Sequence, residues 1–256
     1  SDFMVYFKDG NWWCYDARAN KHMNLTKNLP QEFINKGNTR NTPPHSYGLS
    51  GWSSDGTHVY LYDEFDIWTI NLYDQKAERI TNGRKEKSVY RFYTQLASPY
   101  RNIEGLRSHA PTFDLKEGVI LNARNLGDER TGYFTFNCND GLREIIFGNS
   151  LFSNLRLAAN GISVVYTEER YDLPPRLIYK NLISKESSIL FQSNPQRFEY
   201  NWGKSELVYF QTEKDSLKGV LYYPSNFDPK KKYPMIVHYY EEWSHKINNY
   251  IAPSND

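Results

Sequence analysis

Short runs of alternating apolar and polar residues, separated by Asp-Gly, Asn-Gly or charged pairs, fill most of this chain. A period of two places successive side chains on opposite faces of a strand. Residues 3–7 read as one strand, Lys8-Asp9-Gly10-Asn11 as a hairpin turn, residues 12–15 as the returning strand and 22–26 as a third. Asp-Gly suits such turns because it accepts the positive φ they need. The grammar returns after Gly51-Trp52-Ser53-Ser54, where Asp55-Gly56 leads into residues 57–62. Asp63-Glu64 turns the chain into 65–72, and Asp74-Gln75-Lys76 turns it into 77–81. Four short strands joined by turns make one β-meander, the unit of a propeller blade.

A third unit is expected over residues 109–148, with strands at 110–113, 118–123, 132–137 and 142–147. A fourth runs over 151–193, with strands at 153–157, 162–167, 176–181 and 187–192, and a partial fifth spans 197–223. Units that recur at roughly 40–50 residues fall in the propeller range. Two stretches break the period. Residues 29–47 are rich in Pro and Asn and read as a long loop with a helical turn at 31–35. Residues 84–107 read as an insert that holds an alternating strand at 88–96.

The texture changes after residue 216. Residues 217–223 are a β-rich run ended by Pro224; Asn226, Asp228 and Pro229 mark a turn, and Lys230, Lys231 and Lys232 a solvated corner. Pro234 then opens residues 235–240, nearly all β-branched, aromatic or apolar, as expected of a strand buried on both faces in an α/β sheet. Gly219, Leu221, Pro224, Phe227-Asp228-Pro229, Lys232-Tyr233-Pro234 and this hydrophobic run resemble a junction in serine peptidases of the prolyl oligopeptidase family, including its dipeptidyl-peptidase branch. There a β-propeller passes into an α/β-hydrolase domain. Asn194-Pro195-Gln196, Tyr200-Asn201-Trp202-Gly203 and Glu206-Leu207-Val208 are similar to a bacterial branch of that family, and the Trp52-Ser53-Ser54-Asp55-Gly56 opening and the Asp66-Ile67-Trp68 strand resemble its blades and those of TolB-like propellers.

Composition narrows the picture. The chain has 256 residues, 31 basic and 30 acidic side chains and a net charge of +1, which gives no electrostatic case for nucleic acid or an anionic membrane. With 21 Tyr, 14 Phe and 6 Trp it suits half-exposed pleated sheet better than helix bundles. No apolar run approaches the roughly 20 residues of a membrane helix, and no signal-peptide pattern is present. Cys14 and Cys138 lie far apart without metal-ligand spacing and are expected as buried free thiols.

The chemistry implied by the resemblance needs a serine on a G-x-S-x-G elbow, then an acid, then a histidine. Gly48-Leu49-Ser50-Gly51-Trp52 and Gly161-Ile162-Ser163-Val164-Val165 both lack the final glycine; the first precedes a blade turn and the second sits in a strand. The six histidines build no triad pattern. The resemblance therefore implies that the triad lies beyond this chain, and that the chain by itself is inactive. It carries over one site residue: Tyr240, which ends the hydrophobic run, matches the tyrosine that donates to the oxyanion hole. The small residues that usually follow are here Glu241-Glu242-Trp243. Glu168-Glu169 invites comparison with the paired glutamates that hold a substrate amino terminus, yet consecutive strand residues face opposite ways, so a structural salt bridge is expected. Trp12, Trp13, Trp52, Trp68 and Trp202 are expected to pack between blades. Asn24-Leu25-Thr26 fits the glycosylation pattern.

These readings give an all-β fold of four-stranded antiparallel propeller blades forming a partial propeller over residues 1–212, with a short, truncated piece of an α/β-hydrolase domain over 213–256. The expected function is that of a non-catalytic portion of a serine peptidase whose parent hydrolyses short peptides, with the propeller gating access. A TolB-like interaction or glycan-binding propeller and a pseudoenzyme are the alternatives. The expected partners are a peptide substrate in the parent, no nucleic acid, no membrane insertion and self-association through exposed sheet edges. No cofactor or metal is expected, and a periplasmic or extracytoplasmic location is favoured over a cytoplasmic one.

Overall fold

A computed structural model describes residues 2–37, 45–94, 110–213, 216–238 and 243–252. The regular structure of these residues is strand, with short 3-10 turns at Arg84–Glu86, Pro195–Glu199 and Ser244–Lys246. The chain forms two compact units, one of Ser1–Gly127 with Tyr133–Ile146, the other of Asp128–Gly132 with Phe147–Asp256.

In the first unit β1 (Phe3–Lys8), β2 (Asn11–Asp16) and β3 (Lys21–Asn24) form a 3-stranded sheet in chain order. Asp9 and Gly10 both take positive φ at its first turn, as the dipeptide predicts. β4 (Leu49–Ser53), β5 (His58–Tyr62), β6 (Ile67–Asn71) and β7 (Ala77–Arg79) follow as an antiparallel meander. The two sheets share one core, with Trp12, Cys14 and Leu25 from the first and Val59, Leu61, Trp68, Ile70 and Leu72 from the second. Trp52 packs against it, so these tryptophans fill the space between sheets as expected. Full burial of a side chain of this size stabilises by about 1.5–3 kcal/mol.

Residues 31–35 form no helical turn. Phe33, only 1% exposed, drops into the core, and the backbone pairs instead with the end of its own loop. The Asn35 N–H donates to the His45 carbonyl at 2.8 Å, and Ile34 bridges Ser46. Anchoring Phe33 outweighs the weak helical signal of so short a segment.

β8 (Ser88–Phe92), β10 (Val119–Asn125), β11 (Thr131–Asn137) and β12 (Gly141–Gly148) form a 4-stranded sheet in the order β12-β11-β10-β8. The sequence pattern gave the first place in this sheet to residues 110–113 and left 88–96 in an insert. The structure exchanges the two. β8 pairs with β10, Phe92 opposite Leu121 and Ser88 opposite Asn125. β9 (Thr112–Phe113) instead runs parallel to β4, Thr112 opposite Trp52. The Phe92 and Phe113 rings stack at 4.1 Å, with Tyr60 at 5.2 and 6.0 Å, which ties both strands to the aromatic core of the unit. Gly51 admits the parallel partner, because a Cβ there would sit 2.1 Å from the Pro111 carbonyl oxygen.

In the second unit β13 (Leu151–Leu157), β14 (Ser163–Arg170), β15 (Leu173–Asn181) and β16 (Ser187–Gln192) form a 4-stranded antiparallel sheet in chain order, the blade-type meander expected. Phe152, Leu155, Val164, Tyr166, Leu173 and Ile178 are its buried side chains. β16 is an edge strand that exposes Ile189, Leu190 and Phe191. β17 (Lys204–Gln211) and β18 (Ser216–Tyr223) pair as a 2-stranded hairpin. At its open end a Cβ on Gly203 would lie 2.0 Å from the Tyr223 carbonyl oxygen.

Two further expectations are corrected. Residues 235–238 form no strand, and Met235, Ile236 and Val237 are 71%, 96% and 68% exposed. A run apolar on both faces needs a sheet to join and layers packed over both of its faces, and no described strand pairs with it. Within 243–250 the regular structure is the 3-10 turn Ser244–Lys246. Cys14 is buried as expected, but Cys138 is exposed; both are free.

Candidate functional site

The second unit carries a cleft of about 390 Å³, within the size range of small-ligand sites. Arg170, Tyr171 and Asp172 line it from the β14–β15 turn, Lys204, Ser205, Glu206 and Leu207 from β17, and Asp128, Asn149, Ile247 and Asn248 from the flanking segments. Its charges are matched locally. Arg170 pairs with Asp172 at 3.2 Å, Lys204 with Glu206 at 3.2 Å, and Asp128 with Arg130 at 2.8 Å. Such a lining holds polar groups of either sign without selecting one. The Ser205 hydroxyl donates to the Ile247 carbonyl at 2.9 Å and so ties β17 to the returning tail.

Beside the cleft, Trp202 anchors the same tail. Its indole N–H donates to the Tyr171 carbonyl at 2.9 Å, its ring stacks on Tyr250 at 5.5 Å, and the Arg197 guanidinium lies 4.6 Å from its centroid. Trp202 is thus a packing residue within this unit. Glu168 and Glu169 part as a strand requires. Glu168 accepts two bonds from Arg176, at 2.8 and 3.0 Å, and one from the Ser150 hydroxyl at 2.9 Å. Glu169 accepts the Tyr250 N–H at 3.2 Å, and burial raises its pKa against the lowering effect of that bond. Glu168 is the structural salt bridge expected; the two carboxylates do not converge on one ammonium.

A third carboxylate was not singled out by the pattern. Glu129, 1% exposed and in a left-handed conformation with φ 62°, pairs with the Lys218 ammonium and accepts the Ser244 hydroxyl at 3.0 Å. Its neighbours Asp128 and Arg130 make it look like one member of a solvated charge run. Its trace in the sequence is Lys218, a lone cation in the otherwise apolar run of β18.

Tyr240, Glu241 and Glu242 lie outside the described residues. Ser50 lies in β4 and accepts the Tyr62 hydroxyl at 2.9 Å, while Ser163 lies in β14 and shares a 3.0 Å bond with the Tyr179 hydroxyl. Neither stands on a strand-to-helix elbow. His22 bonds Tyr6, His58 contacts Thr57 and Asn71, and His238 stacks on Trp243. His109 lies outside the described residues. Asn24 uses its side-chain oxygen to accept the N–H groups of Thr26 and Lys27, and Thr26 is buried. Among the described residues no group of His, Cys, Asp or Glu is arranged to hold a metal ion, and no helix is long and apolar enough to cross a membrane.

The junction residues have a local role. Tyr223, Phe227 and Tyr233 form an aromatic trio with centroid distances of 4.6 and 5.2 Å, and the Tyr233 hydroxyl accepts the Asp228 N–H at 3.0 Å. Phe227-Asp228-Pro229 and Lys232-Tyr233-Pro234 thus fold the loop after β18 onto the end of that strand. Comparison with solved structures finds a similar overall fold. A candidate dipeptidyl aminopeptidase IV from Bacteroides ovatus matches 91% of this chain at 15% identity and TM-score 0.50, over 33% of its own length. The chain has the fold of that peptidase region. Weaker matches, at TM-scores of 0.46 and 0.45 and identities of 13% and 14%, are a post-proline cleaving enzyme from Rickettsia typhi and an acylaminoacyl peptidase from Pyrococcus horikoshii. They match 88% and 91% of this chain over 31% and 33% of their own lengths. The chain spans about a third of the length of these neighbours. No protein-family model and no curated protein matches the sequence.

Proposed function

We propose that this chain is a portion of a serine peptidase of the prolyl oligopeptidase family, whose whole form hydrolyses short peptides through an acyl-enzyme. The β-sheet region limits access to the site by size, and the chain alone is non-catalytic. The observation that carries the reading is the ordered junction Phe227-Asp228-Pro229 to Lys232-Tyr233-Pro234, directly after the β17–β18 hairpin, in a chain with the fold of a peptidase region. In this reading Tyr240 donates its hydroxyl to the developing oxyanion of the tetrahedral intermediate. A donor aimed where charge develops contributes about 3 kcal/mol to the transition state. The nucleophile, acid and base come from chain beyond residue 256.

The test has two arms. A fluorophosphonate probe should leave the purified 256-residue chain unlabelled and should label the longer gene product at a serine in a G-x-S-x-G elbow. Labelling of this chain alone overturns its non-catalytic status. A longer product that folds but takes up no label, or a gene with no elbow downstream, overturns the peptidase reading. The residues Glu241-Glu242-Trp243, where small residues are usual, make a pseudoenzyme the outcome to distinguish.

A further inference from the structure

The buried Glu129 is the group in the second unit that the proposed function leaves unused. Removing a carboxylate from water is unfavourable unless an opposite charge and hydrogen bonds replace the lost solvation. Here both are present, from the Lys218 ammonium on β18 and the Ser244 hydroxyl at the first position of the 3-10 turn. The backbone adds a second sign of constraint. Glu129 holds a left-handed φ of 62°, a conformation that residues with a Cβ keep only where the surroundings over-determine it. One carboxylate thus gathers three segments that are far apart in sequence: the β10–β11 loop, β18 and the turn at Ser244–Lys246.

The sequence neighbours of the joined groups face the cleft. Asp128, beside Glu129, and Ile247, next after the turn, both line it. The turn closes through the Lys246 N–H to the Trp243 carbonyl at 2.9 Å and the Ile247 N–H to the Ser244 carbonyl at 3.2 Å. We infer that Glu129 is a positioning residue: its buried carboxylate latches the Ser244–Lys246 turn to β18 and thereby fixes the place where the chain, returning from the junction, forms one wall of the cleft. A solvated charge run could vary freely at this position; a latch needs a carboxylate of this length between an ammonium and a hydroxyl. The inference stands on the geometry of this unit and does not depend on the peptidase reading.

Hydrogen exchange on the purified 256-residue chain tests it. E129Q, which keeps the shape and removes the charge, should speed exchange of the Lys246 and Ile247 amides by about tenfold, the effect of losing one charge-assisted bond, while the amides of β14 and β15 keep their protection. S244A, which leaves the ion pair intact, should open the same amides. The double variant should open them no further than S244A alone, because without the Ser244 hydroxyl the turn has no bond to position 129 left to lose. Exchange at Lys246 and Ile247 within twofold of the unmodified chain in both single variants overturns the latch, as does full multiplication of the two effects. If E129Q fails to fold, S244A decides alone. Failure of probe labelling in the longer gene product would sink the peptidase reading and leave this result untouched.

Discussion

The indole N–H of Trp68 donates to Oδ2 of Asp63 at 3.0 Å, and both side chains are buried. The other carboxylate oxygen of Asp63 accepts the N–H groups of Phe65 and Asp66, at 2.8 and 2.7 Å, and so shapes the β5–β6 turn. Removal of the acceptor strands three buried donors. D63A should cost about 3 kcal/mol of unfolding free energy, and W68F, which gives up one bond and part of the indole's packing, about 2 kcal/mol. Urea unfolding followed by tryptophan fluorescence measures both, and equal losses in the two variants would contradict the account.

Arg176 grips Glu168 with two nitrogens, where a lysine offers a single point of charge. R176K should therefore destabilise by about 1 kcal/mol, and E168Q by about 2 kcal/mol because the guanidinium is left half-buried without a counter-charge. Thermal unfolding of the two variants checks the order.

Asp55 gives the chain an acid-sensitive turn. The Ser53 hydroxyl, then the Thr57 N–H and hydroxyl, hold its carboxyl down to about 2. A carboxyl in an unfolded chain titrates near 3.9, so the folded state prefers the charged form. This contribution is complete above about pH 4 and disappears as pH falls toward 2. The stability difference between the unmodified chain and D55N should shrink over that window. A difference that stays constant from pH 5 to about 2 would be inconsistent with the shift.

The two thiols should react differently. Burial, and then the charge of Asp16, push the Cys14 thiol up to about 11, whereas Cys138 is exposed. Iodoacetamide at pH 8 should alkylate Cys138 and spare Cys14 until the chain is unfolded, as peptide mass analysis will show.

The turns were plain in the sequence because their chemistry is local. Asp9-Gly10 and Asp55-Gly56 stand where the chain reverses, with positive φ at Gly10 and Gly56. Strand existence was equally plain for β13 to β16. Partner choice was not: alternation marks both β8 and β9 as strands, but the stacked rings of Phe92 and Phe113 decide which sheet each joins. The run at Met235 misled for a related reason, since hydrophobicity on both faces states what a strand needs and not whether neighbours supply it. Glu129 was hidden because burial of a charge depends on Lys218 and Ser244, neither of them near it in sequence. Tyr240, the one site residue carried by resemblance, lies outside the described residues.

The close approach of Gly203 to the Tyr223 carbonyl has a consequence for how this chain can diversify. With no room for even a methyl group, position 203 is closed to mutation by space alone, whatever its neighbours do. A saturation library at 203, sorted for folded protein, should return glycine and little else, while Lys204 beside it should accept most polar residues. The hairpin that leads toward the junction is therefore pinned at one atom-wide gap, and drift in the rest of the sequence must work around it.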